Sequence, residues 1–391
     1  MQIIHINIDY KVLEERRERV QKTLGFSFGD RVPVIPYIGA RYFLEQVGFQ
    51  NRIEDYLNDP KTMLECQVYG QKWILENVDS DFHNMVVYPD FMWVEDPHAF
   101  GAGIIIPKND SPWISRPHML EKDDDLEQLR KVDYVHTGFH GKMIDYYREM
   151  RDIAGDYEIE FNDGKKIPVR EFTRPGGSGI LGLIGIANDL YGTGNIAMAL
   201  YDKPDWVKEL VNIICDKSIE WLEYVLEISG GDAGFCSDRY PNVIHVGDDG
   251  TAQLSYEQVK EFSLEPFKKL ADFIHSRNCE VQAHNCGKAD HLLGFWADDI
   301  GIDRYYGFSY LTDKAKIKEM MGGKIKLFGG IDTSLLKDGK PEEVFSYSKD
   351  TLSIFKDVPG YIMMDGHNIA PGTPVENINA MTDACRKFGS H

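Results

Sequence analysis

A (β/α)8 barrel is the fold class that the sequence predicts, on two observations. In the carboxy-terminal half, five short β-rich runs alternate with long amphipathic segments, the pattern of parallel strands joined by right-handed crossovers. Four of these runs are followed at once by glycine and ionisable residues, in His245-Val-Gly-Asp-Asp, His284-Asn-Cys-Gly, Gly330-Ile-Asp and Asp365-Gly-His. That is expected where the loops after barrel strands build an active site on one rim. Asp and Gly also make ordinary turns, so the weight lies in the recurrence over all four loops. A doubly wound sheet is the competing arrangement.

Residues 10–80 read as mostly helical, an amino-terminal extension interrupted by the apolar run Val32–Ile38, the first convincing strand. Residues 85–170 alternate short strands with charged, turn-rich connections, and the Asp-rich stretch Glu121–Val132 reads as a solvated helix face or loop. Lys203–Ile228 is an amphipathic helix with Pro204 at its start and Gly230 and Gly231 at its stop. Asn242–Val246 is a strand, and Ser255 with Gln258 makes a capping box for a helix to about His275. Strands follow at Glu280–Ala283, Arg304–Phe308, Lys326–Phe328 and Tyr361–Met364, with helices around Lys314–Met320 and Glu342–Phe355 between them. Thr373 as N-cap, Pro374 at the first helical position and Glu376 announce a last helix that ends at Gly389. The organisation expected is one barrel domain over residues 1–391, with residues 1–80 largely a helical extension.

With 42% hydrophobic and 27% charged residues, the 391-residue chain has the composition of an ordinary globular protein. Its 43 Lys plus Arg against 63 Asp plus Glu leave a net charge of −20, which repels phosphate backbones and anionic lipid, and nucleic acid is not an expected partner. No stretch approaches the ~20 apolar residues of a membrane span, and the amino end lacks the apolar core of a signal peptide. The six scattered cysteines show no pairing pattern. Together these features place the protein in the cytoplasm, with free thiols.

His284-x-Cys286 is the sharpest chemical signal, since imidazole and thiolate are preferred zinc ligands and two residues leaving a strand can converge on one ion. His367 follows a later strand and would face the same rim, completing three protein ligands with one open position, the catalytic arrangement of zinc. Asp248 and Asp249, beside His245, are the candidate acids, because paired carboxylates push one pKa upward. Asp332 reads as a structural partner. Tyr305, Tyr306, Phe308 and Tyr310 are aromatic candidates, with Tyr306 and Phe308 on one face and Tyr305 on the other by strand alternation. Gly177-Ser-Gly-Ile-Leu-Gly182 satisfies GxGxxG formally but lacks a clean strand before it and a clean helix after it, so a dinucleotide site is not expected.

Residues 242–388 resemble the carboxy-terminal half of the uroporphyrinogen decarboxylase superfamily in GDDGTAQLSYEQVKEF, VQAHNCG, LFGGID and GYIMMDGHNIAPGTPVENINAM. Nearer the amino terminus, RVPVIPYIGARY resembles the family's early strand and VVYPDF its Asp-bearing strand. The resemblance implies a (β/α)8 barrel and one of two chemistries. Metal-free decarboxylases of the family bind substrate carboxylates through two loop arginines. Here Arg41 matches the second, and Tyr37 stands at the first. The zinc-dependent, corrinoid-linked methyltransferases carry His-x-Cys and a further Cys downstream, where this chain has His367.

Replacing a thiolate by neutral imidazole leaves the ion more positive, which suits activation of an ether oxygen better than of an accepting thiol. The resemblance is greatest to the first methyltransferases of aryl methyl ether O-demethylase systems. It implies zinc as cofactor, cobalamin on a separate corrinoid protein as partner, and a small methoxylated substrate; Arg41, Asp90, His245 and Tyr306 are the substrate-binding candidates, and in a decarboxylase Arg41, Asp90 and His367 would be the substrate groups. A polycarboxylate decarboxylase, a corrinoid:thiol methyltransferase and a non-catalytic zinc- or corrinoid-binding scaffold are the alternatives.

Overall fold

The computed structural model describes residues 1–49, 52–108, 110–177, 179–231, 242–366 and 368–391. Its centre is a six-stranded parallel sheet in which each strand lies beside its sequence neighbour. The order is Tyr361–Asp365, Lys326–Ile331, Arg304–Phe308, Glu280–His284, Val243–Gly247 and Gly179–Ile180. Single parallel bridges, Val34 to Met363 at one edge and Val87 to Thr173 near the other, set two further staves in place. The fold is the (β/α)8 barrel.

The first stave is irregular for a covalent reason. Pro33 and Pro36 supply no N–H, so the run expected as the strand Val32–Ile38 pairs with the strand Tyr361–Asp365 through the bonds from Ile35 N to Met363 O and from Met363 N to Pro33 O rather than through a full ladder. The buried Asp81 carboxylate supports it from the side, accepting Val34 N at 2.8 Å and ion-pairing with Arg19 and Arg31.

The outer helices follow apolar spacing. Pro204–Ile228 buries Val207, Leu210, Val211, Ile214, Trp221, Leu222 and Val225, a stripe at three- and four-residue intervals. Each such side chain contributes about 1.5–3 kcal/mol on full burial. The Ser255/Gln258 capping box is present and opens the helix Tyr256–Ser276. The last helix, Val375–Phe388, starts one residue later than its sequence signals imply. Thr373 Oγ1 donates to Ala370 O, so Pro374 takes the cap position.

Four helices, Tyr10–Leu24, Ala40–Gln46, Ile53–Asn58 and Pro60–Asn77, fill the amino-terminal region, yet the first stave passes through its middle. The sequence reading also missed Gln2–Ile6, a parallel strand beside Tyr157–Phe161, which forms a hairpin with Lys166–Pro168. Among the described residues, no helix is long and apolar enough to cross a membrane.

Candidate active site

Three strand ends meet at the mouth of the barrel. His284 closes the strand Glu280–His284, and its Nδ1 donates to the Tyr306 carbonyl at 2.8 Å. That bond fixes the tautomer and leaves Nε2 facing Cys286 Sγ at 3.0 Å. Asp249 Oδ1 stands 3.7 Å from the same Nε2 and accepts the Cys286 amide. Ligand atoms of Asp249, His284 and Cys286 all lie within 4.8 Å of one another, a donor set of carboxylate, imidazole and thiol that fits zinc. His367, expected as the third ligand, lies outside the described residues. A zinc ion held here would have Asp249 as a donor that the expected set of two imidazoles and one thiolate lacked.

The loops that hold this cluster are clamped to each other. Asn285 Nδ2 donates to the Asp248 carbonyl and to Thr251 Oγ1, and Asp248 N donates to His284 O. Burial and the neighbouring Asp249 carboxylate push the Cys286 thiol up.

Gly307 completes the support. Its φ of 58° lies in the left-handed region, and a Cβ there would stand 3.1 Å from His284 Nδ1. Gly307→Ala should therefore disturb the His284–Tyr306 bond and weaken zinc binding by about 10- to 100-fold, the range for lost outer-shell support, while the left-handed backbone costs about 1–2 kcal/mol of stability. Competition with a chromogenic chelator measures it.

Asp248 and Asp249 do not act as the pair expected from sequence. Asp248 is fully buried and turns away from the cluster, its oxygens accepting Ile184 N at 2.9 Å and Gly185 N at 3.1 Å. These are first-turn amides of the helix Leu183–Tyr191, so Asp248 satisfies a helix N-terminus, and burial pushes its carboxyl up to about 7 against the pull of those amides. The same contact closes the GxGxxG question. The N-terminus that would receive a pyrophosphate already holds Asp248, and a Cβ on Gly182 would strike Asp248 and the Gly247 carbonyl. Asp332 caps the helix Thr333–Asp338 through Ser334 N and Leu335 N, a structural role.

His245 joins the cluster to the barrel interior. Its ring centroid lies 6.0 Å from His284, and 5.9 Å from both Tyr306 and Trp93. Gln282 Nε2 bonds its Nδ1 at 3.1 Å, and burial, then His284, push it down to about 3, so it is a neutral imidazole. Beyond it lies a cavity of about 310 Å³ lined in part by Tyr37, Arg41, Asp90, Glu95, Gln282 and Tyr306. Strand alternation fails beside it: the register between Arg304–Phe308 and Lys326–Ile331 shifts at Gly307. Tyr305 therefore stacks on Phe308 in the core, and Tyr306 alone of the two tyrosines lines the cavity.

Arg41 sits at the cavity rim, about half exposed, in a 3.0 Å ion pair with Asp110. It is the only Lys or Arg among the described lining residues, against Asp90, Glu95 and Asp96. Glu95, Gln282 and Trp93 were not singled out from sequence.

The family model described as uroporphyrinogen decarboxylase (URO-D) matches residues 16–388. The chain belongs to the uroporphyrinogen decarboxylase family. Curated members named uroporphyrinogen decarboxylase include one from Azoarcus sp. (strain BH72), 24% identical over 348 residues covering 88% of each chain. One from Dechloromonas aromatica (strain RCB) is 23% identical, over 88% of this chain and 89% of the relative. Among solved structures, a methyltransferase from Methanosarcina mazei superposes with a TM-score of 0.68 at 19% identity, covering 95% of this chain and 98% of its own, a likeness of fold. Family membership places the protein in a family of enzymes, and in this fold the loops at the C-terminal ends of the barrel strands are where active sites are built.

Proposed function

We propose that the protein is a cytoplasmic zinc methyltransferase that moves the methyl group of a small methoxylated aromatic compound to the cob(I)alamin of a separate corrinoid protein. The observation that carries this reading is the Asp249–His284–Cys286 cluster, joined through Tyr306, whose carbonyl accepts from His284, to a cavity lined by aromatic and acidic groups. A porphyrinogen or other polycarboxylate needs cationic partners, and one rim arginine already paired with Asp110 is a poor match for several carboxylates. The fold neighbour named a methyltransferase supports the reading, while the relatives named decarboxylases keep the alternative in the test.

Zinc held by Asp249, His284 and Cys286 supplies Lewis acidity toward the departing oxygen. The chain's own residues do the rest. Breaking the O–methyl bond leaves the electron pair on oxygen, so that oxygen must be met by positive charge or a proton. His245, neutral and fixed by Gln282, keeps an uncharged polar wall between cluster and cavity. Tyr306 presents its ring to the cavity while its carbonyl orients His284, which couples substrate position to ligand position.

The test incubates zinc-loaded and chelator-treated protein with 2-methoxyphenol and cob(I)alamin, and separately with uroporphyrinogen. Methylated cobalamin and catechol in equal amounts, from the zinc-loaded protein alone, are expected. Release of carbon dioxide from uroporphyrinogen by the metal-free protein, with no methylated cobalamin, would establish the decarboxylase instead.

A further inference from the structure

The wall of the cavity beside the first two staves holds a second set of ionisable groups, apart from the metal ligands. Asp90 is fixed in place, one acceptor site on each oxygen used: its Oδ2 accepts the Tyr56 hydroxyl at 2.8 Å and its Oδ1 accepts Met92 N at 2.9 Å. Glu95 takes Phe91 N on Oε1 at 2.9 Å, and its own amide also bonds its carboxylate. Both side chains line the cavity. The intervening backbone is strained, with Met92 at φ 62° and Trp93 at φ 72°, conformations unusual for side chains of this size. That double turn brings the two carboxyl groups to one wall and leaves Trp93 beside His245. Independently, Gln282, only 2% exposed and lining the same cavity, has no hydrogen-bond partner for Oε1 among the described residues. A buried polar atom without a partner is costly unless a ligand or water supplies one.

We propose that Glu95 is a substrate-binding residue that donates a hydrogen bond from Oε2 to an oxygen of an uncharged methoxyarene, with Asp90 and Gln282 completing a polar anchor that rejects carboxylated ligands. The choice of a methoxyarene rests on the function proposed above, whereas the rejection of anions rests on the lining groups alone.

The surroundings favour the acid form. Asp90 and Asp96 are the nearby carboxylates, Tyr56, Tyr88 and Tyr134 the nearby phenols, and three potential cations, the His140 imidazole and the basic groups of Lys142 and Arg41, lie on neighbouring segments. None of these three groups pairs with Glu95. His140 stands 3.4 Å from Asp96, Lys142 bonds Leu57 O above the Phe91 ring, and Arg41 pairs with Asp110. Burial and then the Asp90 charge push the Glu95 carboxyl up to about 8. Near neutrality it therefore carries its proton and donates, and above that value it becomes an acceptor with a negative charge.

The experiment is calorimetric titration of the full chain, without corrinoid, with 1,2-dimethoxybenzene, which does not titrate, and with 2-methoxybenzoate. Affinity for the neutral ether should fall roughly tenfold from pH 7 to pH 9, as the fraction of competent protein declines through a pKa near 8. Glu95→Gln, which keeps an N–H donor and the shape, should bind within about threefold at pH 7 and lose the pH dependence, while Glu95→Ala should bind at least about tenfold more weakly. 2-Methoxybenzoate should bind at least about tenfold more weakly than the ether at every pH. A flat pH profile in the unmodified protein, an unchanged profile in Glu95→Gln, preferred binding of the benzoate, or no binding of the ether would each overturn the proposal. Binding as expected without demethylation would count against the methoxyarene function alone. Demethylation with a flat binding profile would count against Glu95 alone.

Discussion

Zinc affinity falls by more than about 100-fold in each of Cys286→Ala, His284→Ala and Asp249→Ala, beyond the range seen when only outer-shell support is lost. The reasoning is geometric. His284 Nε2 has its lone pair aimed at the cluster because Nδ1 is committed to the Tyr306 carbonyl, and Cys286 and Asp249 approach that nitrogen at 3.0 and 3.7 Å. Removing any one leaves two of the three described ligands, which weakens a catalytic site that needs three protein donors. Chelator competition on each variant, alongside its circular dichroism spectrum, gives the result. Zinc retained in Asp249→Ala would remove the carboxylate from the ligand set and leave it as an acid for the substrate.

Asp248→Ala lowers unfolding free energy by about 2–4 kcal/mol, the cost of stranding two buried helix amides together with a lost N-terminal charge interaction. Urea denaturation of the purified variant measures it. The loss should appear as stability, with zinc affinity changed less than in Asp249→Ala, because the Asp248 side chain touches Ile184 and Gly185 rather than the cluster. Equal loss of zinc in the two variants at unchanged stability would contradict this division of labour between neighbouring aspartates.

The site was legible in sequence where chemistry and punctuation coincide. His284 and Cys286 leave a β-rich run into glycine, so their convergence follows from strand geometry, and the Ser255/Gln258 capping box gave the start of the next helix. Which of two adjacent aspartates faces His284 and Cys286 was not legible, because it depends on the helix Leu183–Tyr191, more than 50 residues away in sequence, offering its amides to one of them. The Asp90–Glu95 wall was hidden for a related reason. Its double turn is made by Met92 and Trp93, and neither carries the glycine or asparagine signal that marks a left-handed backbone. Strand alternation misplaced Phe308 because the shift at Gly307 reverses the face of everything after it.

X-ray absorption at the zinc edge of the unmodified chain, purified without a metal-affinity tag, tests the account at its centre. One zinc per chain with a single sulfur ligand and the remainder nitrogen or oxygen is the expected result, consistent with Cys286, His284 and Asp249. A chain that takes up no zinc after reconstitution, or binds it through sulfur alone, would contradict the proposed site and the methyl transfer built on it.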